Sequence, residues 1–411
     1  MTGTAAAAVF LCVLAVSAVI LNREESAEQE PAASEAKEEN TAAEEISADD
    51  AVVPEEEPEL SEEELLELEA EEILASMTLE EKAAQLFVVT PEAITGVETV
   101  VQAGTISQES IDRYPVGGLV FFSANLESES QTRQMLANFQ AYSRERIGLP
   151  LFLCVDEEGG TVARVANNEN FDVTDVENMS DIADAAEAAA AGQTIGTYLS
   201  ELGFNVDFAP VADVWTNPTN TVVQYRSFGS SAELVAELAA SFLEGLGETG
   251  VYGTYKHFPG HGDTTDDTHE GYAYSEKTLE ELWECEFLPF QEGIAQGVSF
   301  IMAAHISLPN VTGDDTPASM SPEIISLLRD DLGYEGIIIT DALNMGAITE
   351  EYTSAQAAVT ALKAGVDMLL MPADFVSAYQ GVLDAVASGD LSEDRIDESV
   401  MRILRVKLSM E

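Results

Sequence analysis

Four histidines occur in the chain, and three of them, His257, His261 and His269, fall within thirteen residues. The fourth, His305, closes an apolar run further on. An imidazole titrates near neutrality, so it can give a proton and take one back within a single reaction cycle. Asp267 stands two residues before His269, close enough to orient that ring and stabilise its charged form. Two more carboxylates, Asp156 and Asp341, each follow an apolar run. Cations are scarce: the chain has only 17 basic residues, yet Arg164, Arg226 and Lys256 all lie close to these same places. Clustered His and Asp side chains also suit zinc, but His-Glu-x-x-His or a comparable ligand spacing does not occur. Proton transfer is therefore the better reading, and no metal or other cofactor is expected.

Such groups need a scaffold that brings distant segments to one place. Eight short apolar runs, at residues 86–89, 118–122, 151–155, 206–209, 253–256, 300–304, 336–340 and 368–371, predict strands. Helical patterns fall between them, at 131–146, 232–244, 279–296 and 354–364, and a last one at 395–408. Thr78 with Glu81 forms a capping box that opens a helix leading to the first strand. Most runs are continuously apolar, as in parallel strands buried on both faces. This alternation predicts an α/β fold, a single (β/α)8 TIM-type barrel over residues 73–411. No Gly-x-Gly-x-x-Gly turn follows the first strand, so a dinucleotide-binding sheet has no support. A barrel of this kind does its chemistry at the C-terminal ends of its strands. The polar residues above fall there, whereas Asp213 and Asp374 read as structural. Gly159, Gly160, Gly260 and Gly262 suit a tight backbone beside a ligand.

Composition narrows the partners. Asp and Glu number 76 and the formal net charge is −59. A surface this acidic repels phosphate backbones and anionic lipid headgroups, which excludes nucleic acid as a partner. It suits solubility or life at high salt, where screening removes self-repulsion. The three cysteines, Cys12, Cys154 and Cys285, are unclustered and read as packing residues. Residues 5–21 form an apolar run with Val16-Ser17-Ala18 near its end, although no basic residue precedes it. Residues 1–22 are thus expected to act as a signal peptide or membrane anchor, giving an exported or membrane-tethered protein. Residues 23–72 carry 22 acids and two bases and no aromatic residue. They are expected to be a disordered linker, with a helix starting near Ser61 at the far end. A monomer is expected.

The block Lys256-His257-Phe258-Pro259-Gly260-His261-Gly262, followed by Asp267-Thr268-His269, resembles the signature of glycoside hydrolase family 3 in its β-N-acetylglucosaminidase branch. Further blocks follow the family order: the 77–87 helix, Val155-Asp156 with Glu158-Gly159-Gly160, Asn205 to Asp213, Arg226-Ser227-Phe228-Gly229, and Ile339-Thr340-Asp341. The resemblance implies retaining hydrolysis of a terminal β-linked N-acetylglucosamine, on cell-wall-type glycans. It implies Asp341 as the nucleophile and His269, paired with Asp267, as acid/base. It also implies Asp156, Arg164, Arg226, Lys256 and His257 as the polar cage around the sugar. The sequence departs from the family's habit at Thr161, where a basic residue often stands, and Asp263 and Asp266 accompany Asp267. The glucosidase branch draws its acid/base from an additional sandwich domain, which this sequence does not show. A β-glucosidase or β-xylosidase of the same family is the nearest alternative. A non-catalytic protein that binds wall glycan is the alternative of another class.

Overall fold

A computed structural model describes residues 60–264 and 273–410. The expected N-terminal segment and residues 23–59 of the expected linker lie outside these residues. The compact unit begins at Leu60.

Eight parallel strands make the barrel: β1 Phe87–Val89, β2 Gly118–Val120, β3 Phe152–Val155, β4 Val206–Asp207, β5 Tyr252–Phe258, β6 Phe300–Ala303, β7 Ile337–Thr340 and β8 Leu369–Leu370. Each pairs in parallel with its neighbours in chain order, and β1 pairs with β8. The ring closes between β7 and β8 through the Ile339–Met368 bridge, with Met368 N donating to Ile338 O at 3.0 Å. The eight predicted apolar runs are these eight strands, with ends that differ by a residue or two. Their continuous apolarity has a plain cause: nearly every strand residue is buried, between the barrel interior and the helix layer. At the base of the barrel, Phe152 and Phe300 meet edge to face at 5.1 Å, and Lys407 Nζ lies 5.0 Å above the Phe152 ring. Lys407 is fully buried and donates to Gln85 Oε1 at 2.7 Å.

Two differences from expectation have local reasons. The 279–296 pattern forms two helices, Leu279–Glu284 and Phe287–Ala295, broken at Cys285. Pro289 lies four residues past Cys285, and its ring clashes with the carbonyl that a continuous helix would place there. The acidic segment expected to run to residue 72 ends earlier, because Glu62–Ser76 is a helix of the folded unit, α1. Ser61 and Glu64 form its capping box, Ala70 is fully buried, and Glu67 grips Arg405 of the final helix, α2 (Glu393–Ser409), through two bonds of 2.6 Å. Ala70, with Ile73 and Leu74 partly buried beside it, thus ties this acidic helix to the core. The basic residues are largely turned to acids: Lys82 to Glu393 and Asp397, Arg146 to Glu81, and Arg329 and Arg402 to the buried Asp367.

Candidate active site

The C-terminal ends of the strands surround a cavity of about 300 Å³. Asp156, Arg164, Arg226, Lys256, His257 and Asp341 all line it. These are six of the eight site residues expected from sequence. The other two, Asp267 and His269, lie outside the described residues.

Each lining side chain reaches the cavity for a local reason. Asp156 follows the last residue of β3 and Asp341 the last residue of β7. Adjacent residues of a regular strand face opposite ways, yet Lys256 and His257 of β5 both line the cavity. The ladder to β6 slips between Lys256 and Phe258, and this irregularity frees the pair to share one side. Beyond β3 the chain makes a short ladder between Glu157–Gly159 and Val162–Ala163. Its turn needs glycine: Gly160 has φ +54°, and a Cβ there would lie 2.2 Å from Asn178 Oδ1. Gly262 is required by close approach, since a Cβ would lie 1.8 Å from Val214 O.

Two buried carboxylates that sequence reasoning gave no role support this cage, Glu158 through the cations and Glu157 through the backbone. Glu158, only 1% exposed, accepts from Arg226 Nε and Nη2 at 2.7 Å each and pairs with Lys256 Nζ at 2.5 Å. Lys256 Nζ also donates to Asp156 Oδ1 at 2.9 Å, and Arg164 Nη2 lies 3.7 Å from Asp156 Oδ2. Burial opposes charge on Glu158, Lys256 and Arg226. The facing partners outweigh it: Glu158 is held well below the carboxylate range, and Lys256 and Arg226 are pushed up. Glu157 secures the backbone that carries Arg164. Its carboxylate accepts from the N–H groups of Arg164, Val165 and Ala166 and from the Tyr198 hydroxyl.

Asp213 was read from sequence as structural, and it governs the histidines. It is fully buried; Oδ2 accepts from His257 Nδ1 at 2.7 Å, and Oδ1 accepts from the backbone N–H of His257 at 3.1 Å and of His261 at 2.7 Å. Burial would raise its pKa, but the two histidines and the His261 N–H lower it to about 2. Asp213 is therefore an anion at working pH, and an anionic acceptor fixes the proton of His257 on Nδ1. His257 Nε2 lies 3.5 Å from Arg226 Nη2. A buried polar cluster this large needs internal counter-charge, and that need was the available sequence signal for both Glu158 and Asp213.

Asp341 is not a helix cap. Its Oδ1 accepts from the next N–H, that of Ala342, at 2.7 Å. Burial pushes its pKa up, but His257, His305, the Ala342 N–H and Lys256 together hold it below the usual aspartate value. The carboxylate stays ionised, as a nucleophile requires. His305 is buried behind it, 2.7 Å from Ser319 Oγ through Nδ1 and 3.1 Å from Ala342 O through Nε2. Asp374 caps a helix by accepting from Ser377 N at 3.0 Å, a structural role as expected. Cys154 and Cys285 are free thiols.

An ionised aspartate on the wall of a sugar-sized cavity, opposite a balanced cage of cations and carboxylates, suits displacement at a polar, multiply hydroxylated ligand. Comparison with known proteins points the same way. The family profile described as "Glycosyl hydrolase family 3 N terminal domain" matches residues 78–406. Beta-hexosaminidase A of Pseudoalteromonas piscicida is 34% identical over 327 residues, 74% of this chain and 55% of that protein. The chain thus spans about half the length of that relative. Beta-hexosaminidase LpqI of Mycobacterium tuberculosis is 30% identical over 349 residues, 82% of this chain and 84% of that protein. Among solved structures, a glycoside hydrolase family 3 beta-N-acetylglucosaminidase from a Paenibacillus species superposes with a TM-score of 0.76 at 37% identity. That match covers 82% of this chain and 63% of the other. A glycosyl hydrolase family 3 member from Mycobacterium smegmatis gives 0.72 at 32% identity, covering 81% and 98% of the two chains.

Proposed function

The chain belongs to glycosyl hydrolase family 3, and we propose that it hydrolyses terminal β-linked N-acetylglucosamine from cell-wall-type glycans with retention of configuration. The observation that carries the reading is Asp341, an ionised carboxylate at the end of β7 in one cavity with Asp156, Arg164, Arg226, Lys256 and His257. In the first step Asp341 attacks the anomeric carbon, and the leaving oxygen takes a proton from His269 as the glycosidic bond breaks. In the second, water attacks the glycosyl–Asp341 ester, His269 takes the water's proton, and the carboxylate departs. Asp267 orients the imidazole and stabilises its charged form. The histidine's role rests on the resemblance of the Asp267-Thr268-His269 block to the family's acid/base motif, and the choice of Asp267 as its partner rests on their spacing; His269 is five residues beyond Thr264, a reach of about 17 Å at most in extended chain. The N-acetyl preference rests on the relatives, and action outside the cytoplasm rests on the apolar run at residues 5–21.

The test is hydrolysis of nitrophenyl β-N-acetylglucosaminide beside nitrophenyl β-glucoside by the full chain, Asp341→Ala and His269→Ala. Preference for the N-acetyl sugar, activity abolished at Asp341 and strongly reduced at His269 are expected. Full activity in Asp341→Ala, or turnover of neither sugar, would sink the mechanism.

A further inference from the structure

We infer that His261 binds the sugar directly, accepting a hydrogen bond at Nε2 from a donor of the N-acetylglucosamine ring. The inference rests on the proposed function and adds to it a contact that neither the cage residues nor the acid/base dyad supplies.

Three observations carry it. His261 lines the cavity and is only 2% exposed, yet its Nε2 is buried without a partner among the described residues. A buried ring nitrogen left unpaired is costly unless something arriving in the cavity completes it. The ring is also held in place at every other point. Its backbone N–H is tied to Asp213, its carbonyl accepts from Asn220 Nδ2 at 2.8 Å, and the His257 ring stands edge-on at 5.8 Å.

The contacts around Thr264 set which nitrogen carries the proton. Thr264 Oγ1 lies 2.8 Å from His261 Nδ1, 3.0 Å from His261 O and 3.3 Å from Asn220 Nδ2. A carbonyl only accepts and an amide NH₂ only donates. All three contacts are satisfied when the hydroxyl donates to the carbonyl and accepts from both the amide and Nδ1–H. Nε2 then carries a lone pair. Burial, the largest influence on this ring, also lowers its pKa, which keeps it neutral. A neutral, unpartnered acceptor on a residue that lines the cavity selects an O–H or an acetamido N–H. This is a different kind of contact from those of Arg164, Arg226 and Lys256, which can only donate.

The test combines two variants with a set of altered substrates. His261→Leu fills the space without a polar atom, and His261→Gln returns an amide at about the reach of Nε2. With nitrophenyl β-N-acetylglucosaminide, kcat/KM is expected to fall about 10- to 100-fold in His261→Leu and less in His261→Gln. The same enzymes are then given the 2-, 3-, 4- and 6-deoxy glycosides. With the one analogue that lacks the partner group, wild type and His261→Leu should differ by less than about twofold, while the others keep the full gap. Thermal melts confirm that the variants are folded. A folded His261→Leu enzyme of unchanged kcat/KM overturns the inference. So does a gap that stays the same for every analogue, since a purely structural histidine would act alike on all of them. A wild-type enzyme that turns over no N-acetylglucosaminide overturns the proposed function itself, and this inference falls with it.

Discussion

Replacing Glu158 by glutamine removes one charge and leaves the shape of the side chain. Its two oxygens accept three contacts: Oε1 takes Lys256 Nζ at 2.5 Å and Arg226 Nη2 at 2.7 Å, and Oε2 takes Arg226 Nε at 2.7 Å. In glutamine one of those oxygens becomes an NH₂, so a donor meets a donor whichever way the amide turns. The less costly orientation gives up the Arg226 Nε bond, and Asp156 goes on holding Lys256 at 2.9 Å. Breaking one side of a buried ion pair costs about 3–5 kcal/mol. At about 2 °C of Tm per kcal/mol for a domain of this size, the variant should melt roughly 6–10 °C lower. The loss should depend on pH. Glu158 is held far below its ordinary 4.5, so its stabilising effect is complete above that value and fades as pH falls beneath it. Melting curves from pH 7 down to pH 3 should therefore show the two proteins converging. The kcat/KM should fall at least about 100-fold, because Arg226 and Lys256 lose the partner that positions them. A Glu158→Gln enzyme that melts within 1–2 °C of wild type at about pH 7, with a gap indifferent to pH, would refute the ion-pair reasoning.

Two further predictions concern groups away from the Glu158 cluster. Asp213→Asn unfixes the His257 tautomer and should lower kcat/KM by about 10² or more, measured on the N-acetylglucosaminide. The Asp213 pKa is depressed to about 2, so its contribution to stability should persist down to its ordinary value of 3.8 and be lost as pH drops towards 2, seen as convergence of wild-type and variant melts. Lys407 has the opposite sign. Burial depresses it from 10.5 to about 7, so between those values only the unfolded chain holds the proton and stability rises with pH. Lys407→Met should therefore raise stability by about 2–4 kcal/mol near pH 6 and by much less near pH 10. A Tm difference that stays constant across that range would count against a charge buried at Lys407.

The barrel was legible in the sequence because its signal is strong and local. Eight apolar runs buried on both faces fit a barrel or a doubly wound sheet, the missing glycine-rich turn after the first strand favoured the barrel, and each run is a strand of it. The Thr78–Glu81 capping box was readable for the same reason, since one residue spacing states the whole interaction. Boundaries were harder. The capping box at Ser61 showed where the first helix starts, but charge density placed it in the linker, and its docking on α2, remote in sequence, was not readable. The break at Cys285 was available from Pro289, but the helical period across 279–296 masked it. In the site, six residues that line the cavity were placed there by type and position. The carboxylates that face inward to support them, Glu158 and Asp213, were not, because their meaning lies in contacts across 68 and 44 residues of chain.

The pairing of basic residues with acids also shapes the encounter between protein and ligand. With Lys82, Arg146, Arg329 and Arg402 turned to carboxylates and Arg226 and Lys256 at the cavity, the excess of acids makes the molecule, seen from a distance, a polyanion cloaked in mobile counterions. Selection among glycans then begins before contact. A neutral oligosaccharide diffuses in unopposed, whereas one bearing uronate or phosphate groups meets long-range repulsion that reaches about 10 Å at 0.1 M salt and about 3 Å at 1 M. The association rate of acidic glycans would then climb with ionic strength while that of neutral ones stays flat. The medium would thereby act as a second determinant of specificity, set by the surface and independent of the fit inside the cavity.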